Sequence, residues 1–454
     1  MAGPMMPVAF HVIALSFLFA FGACAGSFLN VVVLRIPETP VPDDAPWWRA
    51  FWLQLRGVTY PPSHCPRCGK GLKWHDNFPI LGWLWLGGKC RNCKLPISPR
   101  YPIVELATAL LFAGLYVSVF LLGPTWGPPT PAVELAATNA YAPWDSQVTR
   151  DAFSGTLFVR KIAMPLYHWP ALAILLGLAW CLLAASMIDA EHFHIPRGLS
   201  YLPAVWGVAL HAAFIDRNAP LDLSVGPIGC AYALGGGAGL LLSLGLLRFR
   251  VLRRSFENDL PLLEIERVAA GQDAKRTPEE EAAEAKLVRR EMVWEVGFLL
   301  PPIVLAIVAA YLATGPMAAT FDGIANVRPM SSALGAVLGG LVGGGVIWAI
   351  RLFGSLAFGR EAMGLGDADL MFGVGCCIGA GPAAIAVFPA ALLGLGFAVV
   401  RVLTKSLREM PFGPYLAAAS LILVVVWNPL ADYLRPSLEG LGIILGPAAP
   451  YLGL

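Results

Sequence analysis

The sequence predicts an all-α polytopic membrane protein with about 9–10 transmembrane helices and a small cytoplasmic zinc-knuckle-like domain. Three observations predict it. The chain is 57% hydrophobic and only 14% charged, with a mean hydropathy of +0.65, whereas soluble domains carry roughly 25% charged residues. Apolar runs of about 18 residues or more recur, each long enough to cross a hydrocarbon core of about 30 Å. In one polar loop, Cys65-Pro66-Arg67-Cys68 and Cys90-Arg91-Asn92-Cys93 form a CxxC…CxxC quartet. A net charge of +2 gives no basic field for nucleic acid, and none is expected as a partner; the bilayer is.

The apolar runs place spans at 8–34, 103–122, 170–188, 199–215, 226–247, 296–314, 330–352, 369–380, 382–403 and 411–429. Residues Met1 to Phe10 contain no Lys or Arg, so the first run lacks the basic region of a cleaved signal and is expected to be retained. The eighth run is short. Its Gly373, Gly375 and Gly379, followed by Pro382, suit a broken or re-entrant helix buried within protein. Loop 35–101 carries ten Lys or Arg against four acids, and 248–294 is likewise rich in Arg and Lys, whereas 123–169, 216–225 and 315–328 are poor in both. The positive-inside rule then places the first two loops in the cytoplasm and both termini outside.

The resulting organisation is a first helix at 1–34, the cysteine domain at 35–101, a bundle at 102–249 with an external insertion at 124–169, a charged cytoplasmic insertion at 250–295, a second bundle at 296–430, and a tail at 431–454. No chemistry is apparent in 124–169. Thr277-Pro278-Glu279-Glu280 is a capping box with proline at the first helical position, predicting a charged helix through about Arg290.

Thiolates two residues apart chelate one ion from a tight turn, and two such pairs complete a tetrahedral zinc site. Cys65, Cys68, Cys90 and Cys93 are therefore the candidate zinc ligands, with Gly69, Gly71, Gly87 and Gly88 supplying backbone freedom. A reducing cytoplasm disfavours disulfides here. Cys24, Cys181, Cys230, Cys376 and Cys377 lie in apolar spans and read as small core hydrophobes.

Two carboxylates stand at span ends: Asp189, and Asp367 behind Gly364-Leu365-Gly366. A charge at a membrane helix end must be solvated, paired or used. The loop charges put both on the cytoplasmic face, as an intramembrane aspartyl protease requires. A proton- or ion-coupled transporter using the same carboxylates is the alternative, as is an inactive pilus or secretion assembly homologue. Glu191, His192 and His194 raise the possibility of a metal cluster beside Asp189, but the helix is expected to end there. Asp369 lies two residues from Asp367 and so on another helical face.

At this point the residues resemble a known family, the type IV prepilin leader peptidases and N-methyltransferases, which are GxGD intramembrane aspartyl proteases. The resemblance runs in order through Gly26-Ser27-Phe28-Leu29-Asn30, Arg35-Ile36-Pro37, Ser63-His64-Cys65-Pro66-Arg67-Cys68, Trp74, Asn77, Pro79, Gly88-Lys89-Cys90-Arg91-Asn92-Cys93 and Arg100-Tyr101-Pro102-Ile103-Val104-Glu105. It continues through Asp189 with Ile195-Pro196, Gly364-Leu365-Gly366-Asp367 and Pro411-Phe412-Gly413-Pro414. It implies a bacterial inner (cytoplasmic) membrane enzyme that cuts the leader from prepilin or pseudopilin precursors at the cytoplasmic face. It also implies methylation of the new N-terminus with S-adenosylmethionine. Asp189 and Asp367 would be catalytic and share one proton, because like charges a few ångströms apart do not both ionise cheaply. Gly364 and Gly366 would be the supporting loop, and Gly88, Lys89 and Glu105 the candidates for methyl transfer. No GxGxxG nucleotide fingerprint accompanies them.

The chain departs from the family pattern in places. Ala362 stands for a usual glycine, Asp369 for a usual lysine and Arg197 for a polar residue. The insertions 124–169 and 250–314 are atypical, and the second adds a span.

Overall fold

The long apolar stretches fold as helices because a backbone in hydrocarbon must satisfy its own hydrogen bonds. A computed structural model describes residues 7–39, 47–60, 62–65, 67–122, 125–131, 146–150, 157–162, 165–214, 221–253, 278–404 and 411–445. The helices are α1 (Val8–Arg35), α2 (Trp47–Thr59), α3 (Leu81–Trp85), α4 (Arg100–Val117), α5 (Trp169–His192), α6 (Arg197–Ala213), α7 (Pro227–Arg248), α8 (Pro278–Thr314), α9 (Ala318–Asn326), α10 (Arg328–Phe358), α11 (Leu365–Ile378), α12 (Ala380–Ile385), α13 (Val387–Leu403) and α14 (Gly413–Leu445).

Among the described residues, seven helices are long and apolar enough to cross a membrane: Val8–Arg35, Arg100–Leu121, Trp169–His192, Pro227–Arg248, Ala285–Thr314, Arg328–Phe358 and Ala380–Leu403. This is a multi-pass membrane protein. The other three expected spans are helical but shorter. α6 has 17 residues with Pro203 inside it, α11 has 14, and the apolar part of α14 is Gly413–Trp427. The break expected near Gly379 is present: its φ of 87° ends α11 and turns the chain into α12.

The helical expectation misses one element. Within 124–169, strands β1 (Thr125–Pro131), β2 (Ser146–Arg150) and β3 (Leu157–Ile162) form an antiparallel sheet in the order β1-β3-β2, with a register shift between Trp126 and Thr130. α8 starts at Pro278, while Thr277 and the preceding residues 254–277 lie outside the described residues. α14 continues into the expected tail as far as Leu445, and 446–454 again lie outside.

The chain divides into two compact units that interleave along the sequence: residues 1–206, 214–222 and 390–429, and residues 207–213, 223–389 and 430–454. In the first unit, Leu29, Val32 and Val33 of α1 join Val58, Ala184, Ile188 and Leu199 in one core cluster. Trp180 stacks on Phe28, with ring centroids 5.7 Å apart, and donates to the Ala25 carbonyl at 3.0 Å. α1 and α4 cross backbone to backbone through Gly22 and Gly26, as small residues permit in membranes. In the second unit, Gly235 and Gly239 of α7 meet the Leu305 and Pro301–Pro302 backbone of α8, and Gly339 of α10 meets Gly375 of α11.

A β-carbon on Gly26 would stand 2.7 Å from the Glu105 Cα. Gly26→Leu is expected to separate α1 from α4 at a cost of about 1–3 kcal/mol, read as a lower thermal midpoint in detergent. Gly114→Ala, whose added methyl meets nothing within 4 Å, is the control and should leave the midpoint unchanged.

Candidate metal centre and active-site aspartates

The two cysteine pairs fold identically at the backbone. Cys65 N–H donates to the Lys70 carbonyl and Gly69 N–H to the Cys65 carbonyl; Cys90 N–H donates to Leu95 and Lys94 N–H to Cys90. Each knuckle has a left-handed residue four places after its first cysteine, Gly69 (φ 68°) in one and Lys94 (φ 59°) in the other. Each is flanked by an isolated bridge, His64 with Gly71 and Lys89 with Pro96. Gly69, Gly87 and Gly88 adopt the left-handed conformation expected of them, whereas Gly71 does not.

All four sulfurs lie within 4.8 Å of one another, with Cys65 Sγ and Cys93 Sγ 4.0 Å apart. Tetrahedral zinc with bonds of about 2.3 Å sets its sulfurs about 3.8 Å apart, so the quartet fits a structural zinc ion. Backbone N–H groups of Cys93 and Asn92 bring the Cys90 thiol down to about 6. The Cys93 thiol receives the Leu95 N–H, which lowers it, but burial and the sulfurs of Cys90, Cys68 and Cys65 push it up to about 11. Four crowded thiols thus resist common ionisation unless a cation balances them. Arg91 clamps Asp76 through Nε at 3.0 and 3.1 Å and Nη2 at 2.5 Å, bracing the second knuckle. This guanidinium is the leading reason the Asp76 carboxyl lies below its ordinary value.

The three methyl-transfer candidates are connected through α3. Glu105, buried on α4, accepts the Ile80 N–H at 2.6 Å. Ile80 has φ 60° and ψ −55°, and Leu81 N–H closes a three-residue turn on the Pro79 carbonyl at 2.6 Å. α3 follows at once and its far end delivers Gly88, packed against Trp83, and the exposed Lys89. Glu105 therefore holds a turn, a role that its place near a helix start did not reveal.

Asp189 sits in the last turn of α5, just before Phe193 (φ 52°) reverses the chain. It is 6% exposed, and its Oδ2 accepts the N–H of Gly413, the first residue of α14, at 3.1 Å. Two motifs far apart in sequence meet there. Asp367, 8% exposed, lies in the first turn of α11. A β-carbon on Gly364 would stand 3.7 Å from its Oδ2, so the carboxylate folds back over the glycine that precedes the helix. Gly366 lies between them in that same first turn. Asp189 belongs to the first compact unit and Asp367 to the second. Among the described residues, the cysteine quartet is the one grouping fit to hold a metal. Glu191 pairs instead with Arg100 at 2.5 Å.

Residues 20–119 match the bacterial peptidase A24 N-terminal domain family. A prepilin leader peptidase/N-methyltransferase of Myxococcus xanthus is 47% identical over 96 residues, 21% of this chain and 24% of that protein. One of Pseudomonas aeruginosa is 34% identical over 212 residues, 44% of this chain and 55% of that protein. A type 4 prepilin-like proteins leader peptide-processing enzyme of Escherichia coli is 33% identical over 227 residues, 49% and 66% respectively. The chain is a homologue of the prepilin leader peptidases. It spans about half the length of the curated relatives it matches, a quarter in the first case. No solved structure matches it.

Within this prepilin peptidase homologue, sequence reasoning overlooked Arg351. It is fully buried on α10 and forms an ion pair with the buried Glu295 of α8 at 2.9 Å. The available signal was a single cation, Arg351, inside the apolar run 330–352, since intramembrane charges point to function by default; Glu295 is the last residue of the charged insertion and so did not stand out.

Purified chain is expected to carry about one zinc ion by elemental analysis, lost in Cys65→Ser and Cys90→Ser. A β-carbon on Gly413 would stand 2.5 Å from Asp189 Oδ2 and 3.2 Å from Ile195 Cδ1. Gly413→Ala is therefore expected to lower the thermal midpoint in detergent, while Gly396→Ala, with nothing within 4 Å, leaves it unchanged.

Proposed function

We propose that the chain is a membrane aspartyl endopeptidase that removes the leader of type IV prepilins or type II secretion pseudopilins. On this reading it works in the bacterial inner membrane with its active site facing the cytoplasm, then N-methylates the new N-terminus. The observation that carries the reading is the setting of the aspartates. Each buried carboxylate lies at a helix end beside a glycine of a family motif, Gly413 for Asp189 and Gly364 for Asp367. The printed names of the relatives support the substrate class. The excess of Lys and Arg in 35–101 supports the orientation.

The chemistry follows from two carboxyls sharing one proton. The ionised member takes a proton from water as it attacks the scissile carbonyl, and the neutral member donates a hydrogen bond to the developing oxyanion. The two titrate as a pair, so neither role belongs to one residue alone. Gly364 and Gly366 keep the approach to Asp367 free of side chains, so that an extended substrate backbone can lie close to it.

For methyl transfer, bound S-adenosylmethionine supplies an electrophilic methyl group. The residues present fit it unequally. Exposed Lys89 offers a cation to an anionic group, whereas buried Glu105 is engaged by Ile80 and shapes the turn that leads to Gly88. A zinc ion held by Cys65, Cys68, Cys90 and Cys93 would fasten this loop.

Asp189→Ala and Asp367→Ala are each expected to reduce cleavage of a prepilin-like peptide by at least about a hundredfold, with expression and membrane insertion unchanged. Continued cleavage by either variant would sink the dyad. Transfer of radiolabelled methyl groups to the cleaved product tests the second activity, and no transfer by the zinc-loaded chain rejects it.

A further inference from the structure

The buried arginine of α10 is wired to the loop that leads into the helix carrying Asp367. Arg351 Nε donates to both oxygens of Glu295, at 3.0 and 3.1 Å, and Nη2 lies 2.9 Å from Oε1. Its Nη1 donates to the Glu361 carboxylate and to the Met363 carbonyl. One turn further along α10, the buried Ser355 hydroxyl accepts the Ala362 N–H at 3.0 Å. Gly359, left-handed at φ 67°, closes α10 and sends the chain back along it. The three residues before Gly364 are thus each gripped by α10, through Arg351 or Ser355.

Glu295 is held in turn. It is 2% exposed and accepts Trp348 Nε1 at 2.9 Å, and Trp348 stacks on Phe298 of α8. α8 is the helix that the sequence marks as an insertion. A buried carboxylate paired with a buried guanidinium keeps both charged, and the planar fork fixes the direction of the donors left over. Those donors meet the GLGD loop.

We propose that Arg351 is a positioning residue for Asp367, oriented by Glu295, so that the inserted helix α8 is part of the support of the protease site. This rests on the reading of Asp367 as catalytic. An ammonium at position 351 could neutralise Glu295 but could not span it and the Met363 carbonyl together. A purely structural role would be rescued by any change that leaves no lone buried charge, because an apolar pair commonly replaces a buried ion pair without loss of stability.

The test compares wild type, Arg351→Lys, the double variant Arg351→Met with Glu295→Leu, and Asp367→Asn in detergent. It uses a prepilin-like peptide for kcat and KM, thermal midpoints, and hydrogen exchange of amides 361–366. The expected result is a kcat at least tenfold lower in Arg351→Lys and in the double variant, with KM within twofold. Loop exchange should be faster in both, and the double variant should keep the wild-type thermal midpoint. Wild-type kcat in the double variant, or a loss of kcat that only follows loss of folded protein, overturns the inference and leaves the protease reading standing. Cleavage by Asp367→Asn overturns the protease reading itself, and the role of Arg351 with it.

Discussion

Two helices in hydrocarbon gain little by hiding leucines from one another, because the lipid is as apolar as they are. What holds them is how closely two backbones can approach, and this chain relies on glycine for it. Gly22 and Gly26 bring α1 against α4, Gly235 and Gly239 bring α7 against α8, and Gly339 brings α10 against α11. The last crossing governs the loop that leads to Asp367. With α11 pressed on α10, the connection through Gly359 to Gly364 must double back along α10, within reach of Arg351 and Ser355.

The buried ionisable groups follow one pattern. Glu105 accepts the Ile80 N–H, Asp189 accepts the Gly413 N–H, and Arg351 donates to the Met363 carbonyl. In each case an ionisable side chain on a long helix grips the main chain of a turn that adjoins a family motif. Where the side chain is ionised, as Arg351 is, such bonds are shorter and roughly twice as strong as neutral ones. They suit turns that no apolar packing could define.

The spans and the cysteine quartet were legible because each is a local pattern: a long apolar run, and thiols at fixed spacing. The aspartates were legible because a carboxylate at the end of an apolar run has few uses. What escaped needed tertiary register. Gly413 has no side chain to announce that its N–H meets Asp189. Arg351 sits in one apolar run and Glu295 at the edge of another, and nothing in either segment shows that the two face each other. Lys94 takes a left-handed conformation where glycine is the usual choice, imposed by the repeat of the first knuckle. The three strands within 125–162 are held by backbone pairing, and the first of them, with three prolines in seven residues, does not read as a strand from its sequence.

The Ile80 turn behaves as a loaded spring. A β-branched residue at positive φ is a true outlier, and such strain is of order 1–3 kcal/mol. Here it is offset by a carboxylate that belongs to another helix. The latch and the spring are therefore separate parts. α3 begins at the next residue and ends at Trp85, and the glycine pair Gly87–Gly88 then leads into the second knuckle, so the turn that Glu105 braces stands at the head of the segment on which that knuckle is mounted.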